Sequence, residues 1–371
     1  SIGGMFMPPI MGAGGFIMAE LTGVPYSKIM LVAVFPALMY FFSVFCMVHY
    51  EAKKDNIVGE KSEHSAAYIF KTQWFYILPL AVITALMLSG YSPGYSAIIG
   101  LVSCIYISWV RKDLRIDMTM AFIVSAVFLI SLINQAMGQD AAFKIPGWVG
   151  LVIGVAVSVL VYLKRPDTFK QGWQNFMAAS REGTENSLKI GATVGVIGII
   201  IGVLTFSGLV LTFADIMIEL AGGSLLLTIL LIALASLVLG MGVPVTAAYL
   251  ITAVVAVPAL THLGVNEIAA HMIVYWLSQD SNITPPVCIA AFAGATIAKA
   301  NMWKTAFTSF KFAKFLYLGP ILFGYVPGFS LNGSPMDIVK AFVAIIIGTW
   351  IYSWMLSGIW LGWFTKKKAV V

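Results

Sequence analysis

The residues best suited to bind an ion lie at two helix-breaking sequences in the second half of the chain. The first is GMGVP at residues 240–244, inside an apolar stretch at 225–260 that is too long for one straight membrane crossing. Glycine and proline together should unwind a helix there and free backbone carbonyls. Such oxygens suit a small alkali cation, and sodium is the first candidate. A kink that serves packing alone is the alternative interpretation.

The second helix-breaking sequence is SNITPP at residues 281–286. The apolar pieces on either side, 271–279 and 287–298, are each too short to span a bilayer. Proline lacks an N–H and disfavours helix in the residue before it, so the segment between them predicts a re-entrant hairpin. Non-helical backbone at membrane depth persists only inside protein or beside a wet cavity, where it can bind a ligand. An ordinary loop outside the membrane is the alternative.

The predicted ligands of the sodium ion are backbone and hydroxyl oxygens, and they come from Gly240, Gly242, Val243, Thr246, Ser281 and Thr284. Asp280 borders the tip and is the candidate for a cation ligand or a brace of the tip. No transition-metal site is expected, because His49, His64, His262 and His271 lack ligand spacing.

Organic anions are the expected substrates. A half-helix that begins after each Pro-Pro pair carries about half a positive charge at its N-terminus, which favours a carboxylate. The hairpin-tip residues assigned to the substrate are Met5, Pro8, Pro9, Asp280, Asn282, Pro285 and Pro286. No phosphate-binding loop, nucleophile elbow or zinc motif occurs in the sequence, so we predict no catalytic residue, no enzyme activity and no direct use of ATP.

The composition requires a membrane around these segments. Hydrophobic residues make up 60% of the chain and charged residues 10%, and the mean hydropathy is +0.93. Long apolar runs predict about eight crossings. The fold class expected is all-α, a polytopic membrane protein with inverted repeats, re-entrant helical hairpins and a discontinuous transmembrane helix. Cys46, Cys104 and Cys288 lie in apolar stretches, where packing explains them.

The net charge of +6 reflects topology rather than nucleic-acid binding, because the basic residues lie between apolar spans. The basic segments at 111–115, 164–181 and 366–368 should share the cytoplasmic side. Connectors poor in lysine and arginine, such as 89–94 and 327–335, then face outside. The polar stretch at 164–189 is either an amphipathic arm along the membrane or a plain connector.

An internal repeat organises the chain. Pro8-Pro9 aligns with Pro285-Pro286, and each pair is followed by a short apolar piece, a polar break and a long apolar helix with one late proline, Pro36 or Pro320. The sequence spacing between corresponding residues of the two copies is expected to be constant. An odd number of membrane crossings between the copies would give them opposite orientations in the membrane. The divisions predicted are 1–50 (end of the first repeat), 51–189 (intervening helices and arm), 190–327 (second repeat) and 328–371 (last helix and basic tail).

Several motifs in order resemble the large membrane subunit of tripartite ATP-independent periplasmic (TRAP) transporters, and the fused-permease branch fits best. They are PPIMGA at 8–13, FIMAE at 16–20, PAL at 36–38, LGMGVP at 239–244, AAH at 269–271 and ITPPV at 283–287. The resemblance runs through 1–51 and 190–329, and more loosely between.

This resemblance implies an elevator-type, sodium-driven importer of the ion transporter superfamily in a bacterial inner membrane. Its cargo would be a small organic acid such as a dicarboxylate, keto acid or acidic amino acid, delivered by an extracytoplasmic binding protein of the TAXI class. Sodium would be co-transported, with no other cofactor. The resemblance places the sites at 3–9, 240–246 and 281–286.

The chain departs from the family at two places. The first tip reads Met5-Phe6-Met7 and lacks polar groups, so ion binding is expected at 240–286 rather than near Met5. The other expected departure is that an upstream scaffold, either a small membrane subunit or fused N-terminal helices, and the start of the first repeat lie outside this chain. Two other functions remain open: a stand-alone sodium/dicarboxylate carrier of similar fold, and a non-transporting scaffold subunit of a membrane complex.

Overall fold

The computed structural model describes residues 2–9, 11–57, 65–110, 115–136, 145–164, 166–241 and 243–358. Within these ranges the chain forms α-helices and short 3-10 helices and no strand, so the protein is an all-α polytopic membrane protein as predicted. Five of the described helices are long and apolar enough to cross a membrane: Tyr26–Lys54, Ala66–Leu88, Lys170–Phe206, Val245–His262 and Pro335–Ser357. Shorter apolar helices accompany them.

The chain divides into two compact units. The first contains Ser1–Glu60 and Thr193–Val371, and the second contains Lys61–Ala192. All the predicted site residues belong to the first unit.

The first unit opens with three helices, α1 (Gly3–Phe6), α2 (Gly12–Thr22) and α3 (Tyr26–Lys54). A left-handed residue, Met11 at φ 45°, starts α2, and Gly23 at φ 64° ends it. Glycine accepts this conformation without a steric penalty. The helix α3 is continuous through Pro36.

The second unit is built mainly from neighbouring helices that pack in sequence. They are α4 (Ala66–Gln73), a 3-10 turn (Trp74–Ile77), α5 (Leu78–Leu88), α6 (Pro93–Ser108), α7 (Thr119–Ala136) and α8 (Gly147–Lys164). Gly150 and Gly154 let α8 approach α7 closely, since a Cβ at Gly154 would lie 2.4 Å from the Cα of Ile123. Small residues at this spacing are typical of helix pairs in membranes.

Residues 166–189 of the polar stretch are helical. Residues 166–206 form one helix, α9 (Pro166–Phe206), which continues from the polar stretch into the apolar span without a break at 189. The segment is therefore helical, and its position along the membrane interface stays a prediction. Packing explains Cys46 and Cys288, which are buried, but not Cys104, which is exposed on α6.

The rest of the first unit contains the second repeat and the last helix. Its helices are α10 (Leu209–Leu220), α11 (Leu225–Leu239), α12 (Val245–His262), α13 (Glu267–Leu277), α14 (Ile289–Ala298), α15 (Met302–Phe312), α16 (Lys314–Tyr325) and α17 (Pro335–Ser357). Short 3-10 turns lie at Asp280–Asn282 and Pro327–Ser330.

The backbone supports the repeat but corrects one detail of it. Met11 and Cys288, each the third residue after the first proline of its pair, both have positive φ and precede α2 and α14. In the same register, however, Pro36 aligns with Ala313, where α15 gives way to α16, and not with Pro320. The pairing of the two late prolines was therefore wrong, because it matched residue type rather than position. The inversion of the copies stays a prediction.

Candidate ion and substrate site

The first component of the site is a broken helix. The helix α11 ends at Leu239, and α12 begins at Val245 after an extended Pro244 at φ −58° and ψ 143°. The N–H of Gly240 donates to the Ser236 carbonyl at 2.8 Å as the last bond of α11. Gly242 lies outside the described residues. The predicted unwinding at this sequence is therefore present, as the proline and glycine chemistry requires.

The second component is the tip that follows α13. The helix ends at Leu277, a 3-10 turn occupies Asp280–Asn282, and α14 starts only at Ile289. Gln279 is fully buried, Asp280 is 2% exposed and Ser281 is 4% exposed. The non-helical segment therefore lies inside the protein. An external loop would not be covered in this way.

The broken helix and the second tip meet at Gly240. A Cβ built on Gly240 would lie 2.8 Å from the Ser281 hydroxyl oxygen and 2.8 Å from the Ser236 carbonyl oxygen. At residue 240 there is room for the hydrogen atom of glycine but not for a methyl group. The glycine thus serves a close approach of the two segments, and the structure brings together two of the predicted sodium-site residues.

Polar atoms collect around this contact without hydrogen-bond partners in the described part of the chain. They are the Ser236 hydroxyl, both polar atoms of the Gln279 amide and Oδ1 of Asp280. Leaving such groups buried and unpaired costs free energy, and a carboxylate oxygen costs the most. A cation of suitable size would satisfy the oxygens among them, because hard oxygens are its preferred ligands.

Thr284 also has a defined partner. Its hydroxyl shares a hydrogen bond with the Tyr317 hydroxyl on α16. Tyr317 occupies the position of the second repeat that corresponds to Tyr40 in the first. This tyrosine was missed by the sequence interpretation, although the repeat register contained the signal.

Other predicted ligands are less well placed. Val243 is 38% exposed, and Thr246 is partly buried in the first turn of α12 without a described hydrogen bond from its hydroxyl to the tip. The Asn282 amide reaches the Gln279 carbonyl only at 3.5 Å. Pro285 is partly buried, and Pro286 is exposed.

The first tip is built on different chemistry. Phe6 is 1% exposed and packs on Trp276 at 4.5 Å between ring centroids. The Tyr275 hydroxyl lies 2.8 Å from the Met5 carbonyl oxygen and also bonds the Met11 carbonyl, so one hydroxyl proton is shared between two acceptors. The contacts of this tip are thus mostly apolar and backbone-directed.

Two further residues complete the description of the first tip. The Tyr26 hydroxyl donates to the Pro9 carbonyl at 2.6 Å, and Pro9 is buried. Pro8 is only partly buried. The Met5 and Pro9 carbonyls of the first tip thus accept from tyrosine hydroxyls, whereas side-chain oxygens of Gln279 and Asp280 at the second tip have no partner among the described residues.

Removing the Tyr275 hydroxyl should loosen the first tip. Tyr275→Phe leaves the Met5 and Met11 carbonyls without this donor, so we expect a loss of about 1–3 kcal/mol in the free energy of unfolding. A thermal-unfolding measurement in detergent checks this. Tyr76→Phe, at an exposed ring, is the matched control and should change stability by less than about 0.5 kcal/mol. Equal effects of the two changes would contradict the bracing by Tyr275.

A cavity of about 520 Å³ lies beside both tips. Ile2 precedes the first tip, Ile283 belongs to the second, and both line the cavity. Its polar lining comes from Tyr40 of α3 and, for the larger part, from α15 and its N-cap. The residues of this second group are Asn301, Lys304, Thr305, Thr308 and Ser309. Lys304 is the charged residue among the described lining residues. The volume and the single cation suit a small anion.

Comparison with known protein families agrees with the motifs. A family model described as "Tripartite ATP-independent periplasmic transporter, DctM component" matches residues 1–329. Comparison with curated proteins finds no match. The matched region includes the broken helix, both tips and the cavity.

Proposed function

Because the chain belongs to the DctM family of TRAP transporter permease components, we propose that it is a sodium-coupled importer of a small organic acid. The family is one of transporter components and not of enzymes. Within it, the finer questions are which ion drives transport, what the substrate is and which proteins assist.

One observation carries the proposal of a cation. Where the broken helix meets the second tip, the buried Asp280 and Gln279 side chains hold oxygens without described partners. A bound sodium ion would compensate the charge of Asp280. These oxygens and the hydroxyl of Ser281 would coordinate it. The packing-driven kink accounts for the break in the helix but not for a buried Asp280 whose Oδ1 has no partner among the described residues.

The cavity supports an anionic substrate. Lys304 would attract a carboxylate, and the hydroxyls of Thr305 and Ser309 add polar contacts. The half-helices α2 and α14 begin shortly after the two tips, and their N-termini favour negative charge. A dicarboxylate, keto acid or acidic amino acid has the right size and charge.

The partners proposed are those of a tripartite system. An extracytoplasmic substrate-binding protein, of the TAXI class if the fused branch applies, would deliver the acid. A small membrane subunit or fused scaffold helices would hold the moving part in a bacterial inner membrane. The described chain would supply the transport sites.

Reconstituted uptake tests the proposal. Proteoliposomes that contain the permease with its small subunit or scaffold should accumulate a radiolabelled dicarboxylate only with an inward sodium gradient and the cognate binding protein. Uptake that is indifferent to sodium, with potassium as the matched control cation, would refute the coupling. Uptake without a binding protein would identify a stand-alone carrier, and no uptake with intact assembly would favour a scaffold subunit.

Lys304 should determine substrate affinity. We expect Lys304→Gln to raise the KM for the acid about tenfold, because a charge-assisted hydrogen bond to a carboxylate is lost. Concentration dependence of uptake measures this. Lys340→Gln on the exposed face of α17 is the control and should leave the KM unchanged. A KM unaffected by Lys304→Gln would remove the cavity from the substrate path.

A further inference from the structure

A second concavity lies away from the transport site, in the first unit. It is a groove of about 860 Å³ between α3 and α17. The two helices pack side by side, with the rings of Phe35 and Phe342 stacked. The groove is lined by Phe42, Phe45, Cys46, His49, Tyr50 and Lys53 of α3 and by Trp350, Ile351 and Trp354 of α17.

The chemistry of the groove changes along α3. Phe42 and Phe45 line one end, and Phe45 is 68% exposed. His49 and Lys53 line the other end. At 1.5 Å per residue, the distance from Phe42 to Lys53 is about 16 Å, roughly half the hydrocarbon thickness of a bilayer. A molecule that fits such a groove has an apolar tail and a charged head.

The charged end of the groove holds an available cation. Glu51 accepts a hydrogen bond from Lys311 at 2.8 Å and forms an ion pair with Lys54 at 3.6 Å. Lys53 is exposed and makes no ion pair within the part of the chain that the structure describes. The ammonium group of Lys53 is therefore free to meet an anion.

The position along the membrane agrees with an anionic head. The expected number of membrane crossings between the C-terminal end of α3 and the basic segment at 111–115 is even. Both therefore lie on the same side of the membrane, which the positive-inside rule makes the cytoplasmic side. Trp350 and Trp354 lie near the end of α17, and tryptophan rings favour the level of the lipid headgroups. The cytoplasmic leaflet is rich in anionic lipids, which attract lysine at the surface.

We propose that this groove binds an anionic phospholipid. The acyl chains lie along Phe42, Phe45 and Trp350, and the phosphate lies at Lys53 beside His49. The complementary charge of Lys53 selects an anionic head over a zwitterionic one.

Native mass spectrometry with defined lipids tests the site. The delipidated protein is mixed with phosphatidylglycerol or phosphatidylcholine of identical acyl chains. We expect phosphatidylglycerol to be retained preferentially, and Lys53→Gln to reduce that preference about fivefold. Lys54→Gln, at the adjacent lysine that is paired with Glu51, should change it less than about twofold.

A second variant separates the tail from the head. Trp354→Ala should weaken retention of both lipids, because it removes apolar contact without changing charge. Equal retention of the two lipids by the unaltered protein, or equal effects of Lys53→Gln and Lys54→Gln, would overturn the proposal. So would loss of the bound lipid when the small membrane subunit is co-purified, since the groove would then be a protein interface.

Discussion

Asp280→Asn is expected to abolish sodium-driven uptake, lowering the rate at least about a hundredfold, while the protein still folds. The change keeps the shape of the side chain but removes the charge that a bound cation would compensate. Without sodium, the variant should even be more stable than the parent, because a carboxylate buried to 2% exposure without a described partner for Oδ1 is costly.

The ion dependence of stability makes this test specific. Sodium at about 100 times its Kd should stabilise the unaltered protein by about 2.7 kcal/mol, and this shift should vanish in Asp280→Asn. Thermal unfolding in sodium and in potassium, followed by uptake, measures both effects. Asp215→Asn, at an exposed carboxylate of α10, should behave as the unaltered protein does. A variant at Asp280 with full uptake and a full sodium shift would exclude this residue from the ion site.

Gly240→Ala is expected to lower uptake more than about tenfold and to cost about 1–3 kcal/mol of stability. The added methyl group would lie 2.8 Å from both the Ser281 hydroxyl oxygen and the Ser236 carbonyl oxygen. The carbonyl belongs to the backbone of α11 and cannot rotate away. Because Cβ of Ser281 would also lie only 3.1 Å away, rotation of the Ser281 hydroxyl does not relieve the contact. The second tip must therefore shift relative to the broken helix, and the oxygens of the site separate.

A glycine in open surroundings provides the comparison. Gly198 lies within α9, and a Cβ there would meet nothing within 4 Å. Gly198→Ala should be neutral or stabilising by up to about 1 kcal/mol, since alanine favours helix. Matching thermal-unfolding and uptake results for the two variants would show that the close approach at Gly240 has no function.

The local breaks in this fold can be predicted from sequence because their causes are local. Proline at 244 and the Pro-Pro pair at 285–286 remove backbone donors and restrict the preceding residue, whatever surrounds them. The membrane class follows equally from composition. The family resemblance adds the order of the motifs, which the family match confirms over residues 1–329.

The partners of the tips could not be predicted in this way. Tyr275 reaches the Met5 carbonyl across most of the chain, and Lys304 reaches the cavity only because α15 turns back after α14. Such contacts depend on tertiary packing. The sequence places Gln279 at the end of a short apolar piece, and only the fold shows that it is buried beside Asp280.

In the internal repeat, too, residue type alone suggests a different correspondence from the one that the register of the Pro-Pro pairs gives. Residue type suggested that Pro36 and Pro320 correspond, whereas the register set by the two Pro-Pro pairs aligns Pro36 with Ala313, where α15 gives way to α16. The helix α3 is continuous at Pro36, so the two copies differ in backbone at this position.

The difference in free polar groups between the two tips bears on how transport would depend on the membrane potential. Each sodium ion that crosses the membrane adds about 2.3 kcal/mol per 100 mV of membrane potential to the work available for accumulating substrate. In this chain the second tip presents unpaired oxygens, while the carbonyls of Met5 and Pro9 in the first tip are engaged by tyrosine hydroxyls. If the proposed sodium coupling uses the second tip alone, each transport cycle draws on fewer ions than in a carrier whose two tips both bind sodium. The maximum ratio of inside to outside substrate concentration is then lower, and the transport rate depends less steeply on the membrane potential.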